Sequence, residues 1–221
     1  VTGDVVVASD GSINANGIGY GPAIGSGGGL SSGGVYFDGS GAGHGGNGGM
    51  SSSNALGGTG YGSLYQPTTL GSGGGASYAG SGGKGGGRIQ IVAGGMMSID
   101  GVISANGADA TNSRAGGGAG GSIWITAANV TGSGSLTAIG GTGEAAHGGG
   151  GGGGRISIQC GTNHFSGSLA TYGGNGWNIG GAGTIFIQTN GQTGLLLVDN
   201  GNRAGAANAI CLLSLPTVAD V

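Results

Sequence analysis

Four short segments built on an Ile-X-Ile pattern recur behind runs of glycine: Arg88-Ile-Gln-Ile91, Ser122-Ile-Trp-Ile125, Arg155-Ile-Ser-Ile158 and Thr184-Ile-Phe-Ile187. Their first isoleucines stand at Ile89, Ile123, Ile156 and Ile185, in steps of 34, 33 and 29 residues. A second apolar column follows the first three at Ile103, Leu136 and Leu169, in steps of 33 and 33. Two columns holding one register restrict the chain to a repeat architecture, because a single rung cannot bury its apolar face alone and must stack on its neighbours. Isoleucine alternating with a variable residue has the period of a strand, not of a helix. The expectation is an all-β, parallel β-solenoid with rungs of about 30–34 residues, its isoleucines forming two inward ladders at about 4.8 Å per rung. The outward column then reads Gln90, Trp124, Ser157, Phe186. Trp124 and Phe186 are expected to be exposed and to need a cover or a partner, with Trp177 a third exposed aromatic.

Glycine supplies 65 of the 221 residues and proline only 3, which excludes collagen and its proline-rich triplet period. Disorder is disfavoured too, since 36% of the residues are hydrophobic and only 6% charged, the reverse of the disordered signature. Ordering glycine is entropically costly, so the runs must return something larger residues could not. Close approach of extended, polyproline-II-like segments is the expected return; flexible loops are the plainer alternative. A net charge of −3 leaves no basic footprint for nucleic acid or an anionic membrane. No apolar run approaches the roughly 18 residues of a membrane span. Val1 opens directly in a strand-like segment, which reads as a mature product or an excised part of something larger. Cys160 and Cys211 are compatible with one disulfide or with two buried thiols.

Along the chain the expectation is one elongated domain over residues 1–221. Residues 1–16 carry Val5-Val-Val7 and Gly11-Ser-Ile-Asn-Ala15 and read as the first rung. Residues 17–87 lose the register and form a glycine- and tyrosine-rich insertion expected to fold over one side. Residues 88–198 hold the repeated rungs, and residues 199–221 an apolar tail. Neither end offers the polar cap a solenoid normally needs, so Val5, Val6 and Val7 at one end, and Leu195, Leu197, Ile210, Leu212 and Leu213 at the other, are the expected assembly junction.

Several phrases carry a resemblance: Gly86-Gly-Arg-Ile-Gln-Ile91, Gly101-Val-Ile-Ser-Ala-Asn-Gly107, Tyr61-Gly-Ser-Leu64 with Pro67-Thr-Thr-Leu-Gly-Ser-Gly73, Gly180-Gly-Ala-Gly-Thr-Ile-Phe186 and Leu197-Val-Asp-Asn-Gly201. Together they resemble the glycine-rich repeats of very large bacterial surface or secreted proteins, over nearly the whole chain. The resemblance implies a parallel β-helix-like scaffold in exported architecture proteins and brings no catalytic residues with it.

Motifs with chemical potential are sparse. Gly41-Ala-Gly-His-Gly-Gly46 matches a dinucleotide fingerprint, but no strand-then-helix context surrounds it. Asp199, Asn200 and Asn202 form a weak calcium candidate, since clustered oxygens suit a hard cation, although an Asx turn explains them as well. His44, His147 and His164 lack ligand-pair spacing, and Glu144 is the only acidic residue near one of them. Asn129-Val-Thr131 is a formal glycosylation sequon. These readings point to a non-enzymatic structural subunit of an extracellular filament or surface layer that assembles with copies of itself and needs no cofactor. The alternative is an adhesin whose glycine-rich loops present Tyr20, Tyr36, Tyr61 and Trp177 to glycans or a solid surface.

Overall fold

A computed structural model of the chain describes residues 1–190 and 192–205. Ile210, Cys211, Leu212 and Leu213, named above, lie outside the described residues. The strands are β1 (Val5–Val7), β2 (Ser12–Asn14), β3 (Arg88–Val92), β4 (Met96–Ile99), β5 (Val102–Ser104), β6 (Ser122–Gly132), β7 (Ser135–Thr137), β8 (Arg155–Phe165), β9 (Ser168–Ala170), β10 (Thr184–Thr189) and β11 (Leu195–Leu197). One sheet runs β1-β4-β6-β8-β10-β11 with β3 beside β6, and a second runs β2-β5-β7-β9. All pairings are parallel except β10 with β11, so the chain is a parallel β-solenoid, with three complete turns flanked by partial ones.

The isoleucine ladders are in the expected register. Ile89 pairs with Ile123, Ile123 with Ile156 and Ile156 with Ile185, and the second ladder pairs Ile91, Ile125, Ile158 and Ile187 in the same way. Ile13, Ile103, Leu136 and Leu169 form the column of the second sheet. Ile123, Ile125, Ile156 and Ile158 are fully buried, and each such side chain contributes roughly 1.5–3 kcal/mol to folding.

A further apolar stretch was absent from the expectation. β6 and β8 run eleven residues, past the isoleucines and round a corner. There Met97 pairs with Val130 and Val130 with Asn163, and Met97, Ile99 and Val130 are fully buried. The first rung joins this second stretch: β1 pairs with β4, not with β3. The far end also departs from an open ladder. Leu195, Leu196 and Leu197 fold back antiparallel onto Ile187, Phe186 and Ile185, so the edge of β10 is occupied by the chain's own β11.

The glycine runs form a second body of backbone beside the sheets. Gly149 and Gly152 donate to Gly39 and Ala42, Gly150 and Gly153 to Asn178 and Gly181, and Gly151 and Gly154 to Gly141 and Ala138. Residues 116–121 repeat the pattern: Gly116 and Ala119 donate to Gly75 and Ser72, Gly117 and Gly120 to Gly149 and Gly152, Gly118 and Gly121 to Ala108 and Ala105. Amides that turn to a new neighbour at each step and return every third residue have the three-residue turn of a polyproline-II helix, which makes no internal hydrogen bonds. Parts of the insertion join this bundle as further strands of it, Gly43 donating to Gly27 and Gly74 to Gly83.

Residues 61–69 of the insertion cover the outer face of the first sheet. Ser157 Oγ and Gln159 Nε2 donate to the Tyr65 carbonyl at 2.7 and 2.6 Å, Ser122 Oγ to Thr69 at 2.7 Å, and Arg88 to Thr68 at 3.3 Å. The Tyr65 ring meets Phe186 edge-on, with centroids 4.7 Å apart. The outward column therefore differs from expectation. Phe186 is buried against Tyr65 of this segment and Trp124 is half-buried; Trp177 is exposed.

Candidate functional site

The feature with most potential for function is the end of the solenoid formed by β1, β2 and β3. Among the described residues each of these strands is paired on one side only, with β4, β5 and β6. An unpaired edge offers its N–H and C=O groups to another strand. The inward columns are also partly unfinished here, although Val7, Ala15 and Ile89 are buried. Val5, Ile13 and Ile91 are half-buried, whereas their neighbours one rung in, Met97, Ile103 and Ile125, are fully buried. Val6 faces outward and is exposed. Leu195 and Leu197 at the opposite end are exposed as well, but they sit on an antiparallel strand.

Beneath the covering segment lies a buried polar cluster. The Nδ1 of His44 lies 2.8 Å from the Gly120 carbonyl and its Nε2 2.8 Å from Thr69 Oγ1, and the ring meets Tyr61 at a tilt, with centroids 4.8 Å apart. A neutral imidazole satisfies both contacts by donating to the carbonyl and accepting from the threonine hydroxyl. Arg155, nearly fully buried, donates to the Tyr61 carbonyl at 2.9 Å and to Thr184 Oγ1 at 3.0 Å. Burial, followed by the nearby Arg155 charge, pushes the His44 pKa from 6.5 down to about 4. Burial likewise pushes the Tyr61 phenol up to about 12, and its hydroxyl is committed to the Leu70 carbonyl and Ser72. The His44 ring ties the insertion to the glycine run at Gly120, and the Tyr61 ring joins parts of the insertion to each other.

This cluster predicts a pH dependence. Between about 6.5 and 4 the unfolded chain holds a proton on His44 that the folded protein refuses, so stability is full above pH 6.5 and declines as pH falls through that window. The loss approaches roughly 3 kcal/mol at its lower end. Chemical denaturation at pH 7.5 and 4.5 should show it, and a His44→Gln protein should lack this part of the slope. An unchanged slope in that variant contradicts the assignment.

The turns that connect bundle segments carry further charged groups. Asp38 is fully buried and accepts from Arg114 Nε, Ser52 Oγ and Ser53 Oγ. Burial alone would raise its pKa, but the two serines and Arg114 outweigh that and hold it below the ordinary value. Arg114 lies over the Tyr78 ring at 5.8 Å, and Tyr78 meets Tyr36 edge-on at 5.1 Å. Glu144 reaches His147 at 2.9 Å, and the Ala146 amide, more than His147, lowers its pKa. Tyr36, Tyr78 and Trp177 are exposed on these turns.

The calcium candidate resolves into a turn. Asp199 Oδ1 accepts from the Gly201 amide at 2.9 Å, while Asn200 Oδ1 accepts from Gly173 at 2.8 Å and its Nδ2 donates to the Gly180 carbonyl. Asn202 sits at φ 60°. Asp199 Oδ1 and Asn200 Oδ1 thus accept from backbone amides, the first as in an Asx turn. Among the described residues no group of three or more His, Cys, Asp or Glu side chains converges. Cys160 is buried and forms no disulfide among the described residues, its possible partner Cys211 lying outside them, and burial raises its thiol pKa. Asn129 is exposed on β6, held by Thr162 Oγ1 inside a paired strand. No helix among the described residues is long and apolar enough to cross a membrane. Comparison with protein-family models, with curated proteins and with solved structures finds no match to this chain.

Proposed function

We propose that this chain is a non-enzymatic structural module of an exported filament or surface layer, and that it assembles by adding strands to the edge formed by β1, β2 and β3. The observation that carries the proposal is the unfinished core at that edge, where Val5, Ile13 and Ile91 stay half-buried beside fully buried neighbours. A second copy placing strands there would complete the ladders and pair the free backbone groups. The donor surface is the opposite end, including Leu195 and Leu197, which gives a head-to-tail contact and an open filament where the rotation does not close a ring. Because β11 runs antiparallel, the junction would carry one antiparallel pairing in an otherwise parallel stack.

An inward charge on an edge strand is the device by which sheets block such addition. Val5→Lys is therefore expected to abolish assembly, raising the concentration at the midpoint of association by about a hundredfold or more, while thermal melting falls less than with a charge at a fully buried position, since Val5 is only partly buried against the core. Negative-stain microscopy and sedimentation against concentration read the outcome. Wild-type protein that stays monomeric at its highest soluble concentration, or Val5→Lys protein that still polymerises, refutes the proposal. Exposed Tyr36, Tyr78 and Trp177 favour a second reading, a binding module that meets glycans or a solid surface through its glycine-rich turns.

A further inference from the structure

A groove of about 430 Å³ opens on the outer side of the first sheet where the strands turn their corner. Its depth has a simple origin. Ala127 and Cys160 face the core in one register pair, and the residues that follow them along β6 and β8, Ala128 and Gly161, are too small to fill the outside of the bend. Thr126, Gln159 and Gln188 line it as one register column, joined by Asn190. Gln159 is held in place through Nε2 on the Tyr65 carbonyl. The side chains of Gln188 and Asn190 have no hydrogen-bond partner among the described residues.

Among the described residues the lining contains no charged side chain and no aromatic ring, so it holds no charge to pair with a phosphate or a carboxylate. What it offers is a series of neutral groups that both donate and accept, the two carboxamide column members on neighbouring strands about 4.8 Å apart. Hydroxyl-rich chains match that chemistry, because each of their hydroxyls also donates and accepts. We propose that the corner groove binds an uncharged oligosaccharide, with Gln159, Gln188 and Asn190 as its hydrogen-bonding residues. This site lies on the solenoid itself, apart from the glycine-rich turns and from the assembly edge, and it stands independently of the assembly proposal.

The test is a titration of ¹⁵N-labelled protein with uncharged gluco-, manno-, galacto- and xylo-oligosaccharides, following the side-chain amides of Gln159, Gln188 and Asn190. Wild-type protein is used if it stays monomeric; if it assembles, the Val5→Lys background, whose substitution does not line the groove, is used in its place. At least one of these sugars should give saturable shifts confined to the groove. Ala128→Trp, at an exposed position that blocks the groove from outside, should weaken binding about tenfold or more, and Gln188→Ala about fivefold. The proposal is overturned by the absence of saturable shifts with all four sugars, by affinity unchanged in both variants, or by an oligouronate that binds as tightly as the neutral chains.

Discussion

Ile125→Asp protein is expected to show no native β-sheet signal in far-ultraviolet circular dichroism and to elute as an expanded or aggregated chain. Ile125 is fully buried between Ile91 and Ile158 in the second ladder. The cluster around it consists of aliphatic, alanine, methionine and cysteine side chains, with no basic group to pair a carboxylate. Protonating the new side chain would remove the charge but leave a buried hydroxyl unpaired, so either form costs several kcal/mol on top of the lost isoleucine burial. Against a typical stability of about 5–15 kcal/mol, and with the defect transmitted to rungs on both sides, folding should fail. Thr126→Asp is the control. It lies one residue along the same strand on the outer side and should change stability by about 1 kcal/mol or less. Soluble, folded Ile125→Asp protein would refute the inward assignment of the ladder.

The ladders were legible because two independent constraints coincide in them: a strand period of two and a rung spacing near 33 residues. The corner stretch obeys the same spacing, since Met97, Val130 and Asn163 are 33 residues apart, yet it was not seen. One of its three members is polar, and hydrophobic alternation is lost where the strand bends. Strand direction is a different kind of omission. Leu195 to Leu197 have the composition of a ladder segment, but nothing in them states whether they continue the coil or fold back, and that is decided by the short connection from β10. The burial of Phe186 was unreadable for a third reason: its partner Tyr65 is more than a hundred residues earlier, in a segment without register. The groove is invisible for a fourth. Ala128 and Gly161 matter by what they fail to fill, and small residues are unremarkable in so glycine-rich a chain.

The glycine runs themselves permit a decisive comparison between two alanine substitutions that sequence alone treats as equivalent. Replacing glycine with alanine ordinarily stabilises a protein by about 0.4–1 kcal/mol through the entropy of the unfolded chain, provided that the native conformation accepts a methyl group. Gly33→Ala should show that gain or no effect, since a Cβ there meets nothing within 4 Å. Gly151→Ala should do the opposite. Its Cβ would sit 2.0 Å from the Gly118 carbonyl oxygen and 2.6 Å from the Gly118 carbonyl carbon, and these are backbone atoms. Moving Gly118 aside disturbs its own bond to Ala108 and the Gly141 amide that donates to it. Overpacking of this kind costs typically 1–3 kcal/mol, and each backbone bond lost in the interior adds about 1 kcal/mol. The expected destabilisation of roughly 3–5 kcal/mol far exceeds the entropic gain, so the two variants should move in opposite directions in urea denaturation. If Gly151→Ala were neutral or stabilising, residues 148–154 would not be the closely bonded centre of the bundle, and the glycine content would then reflect loop freedom instead of backbone contact.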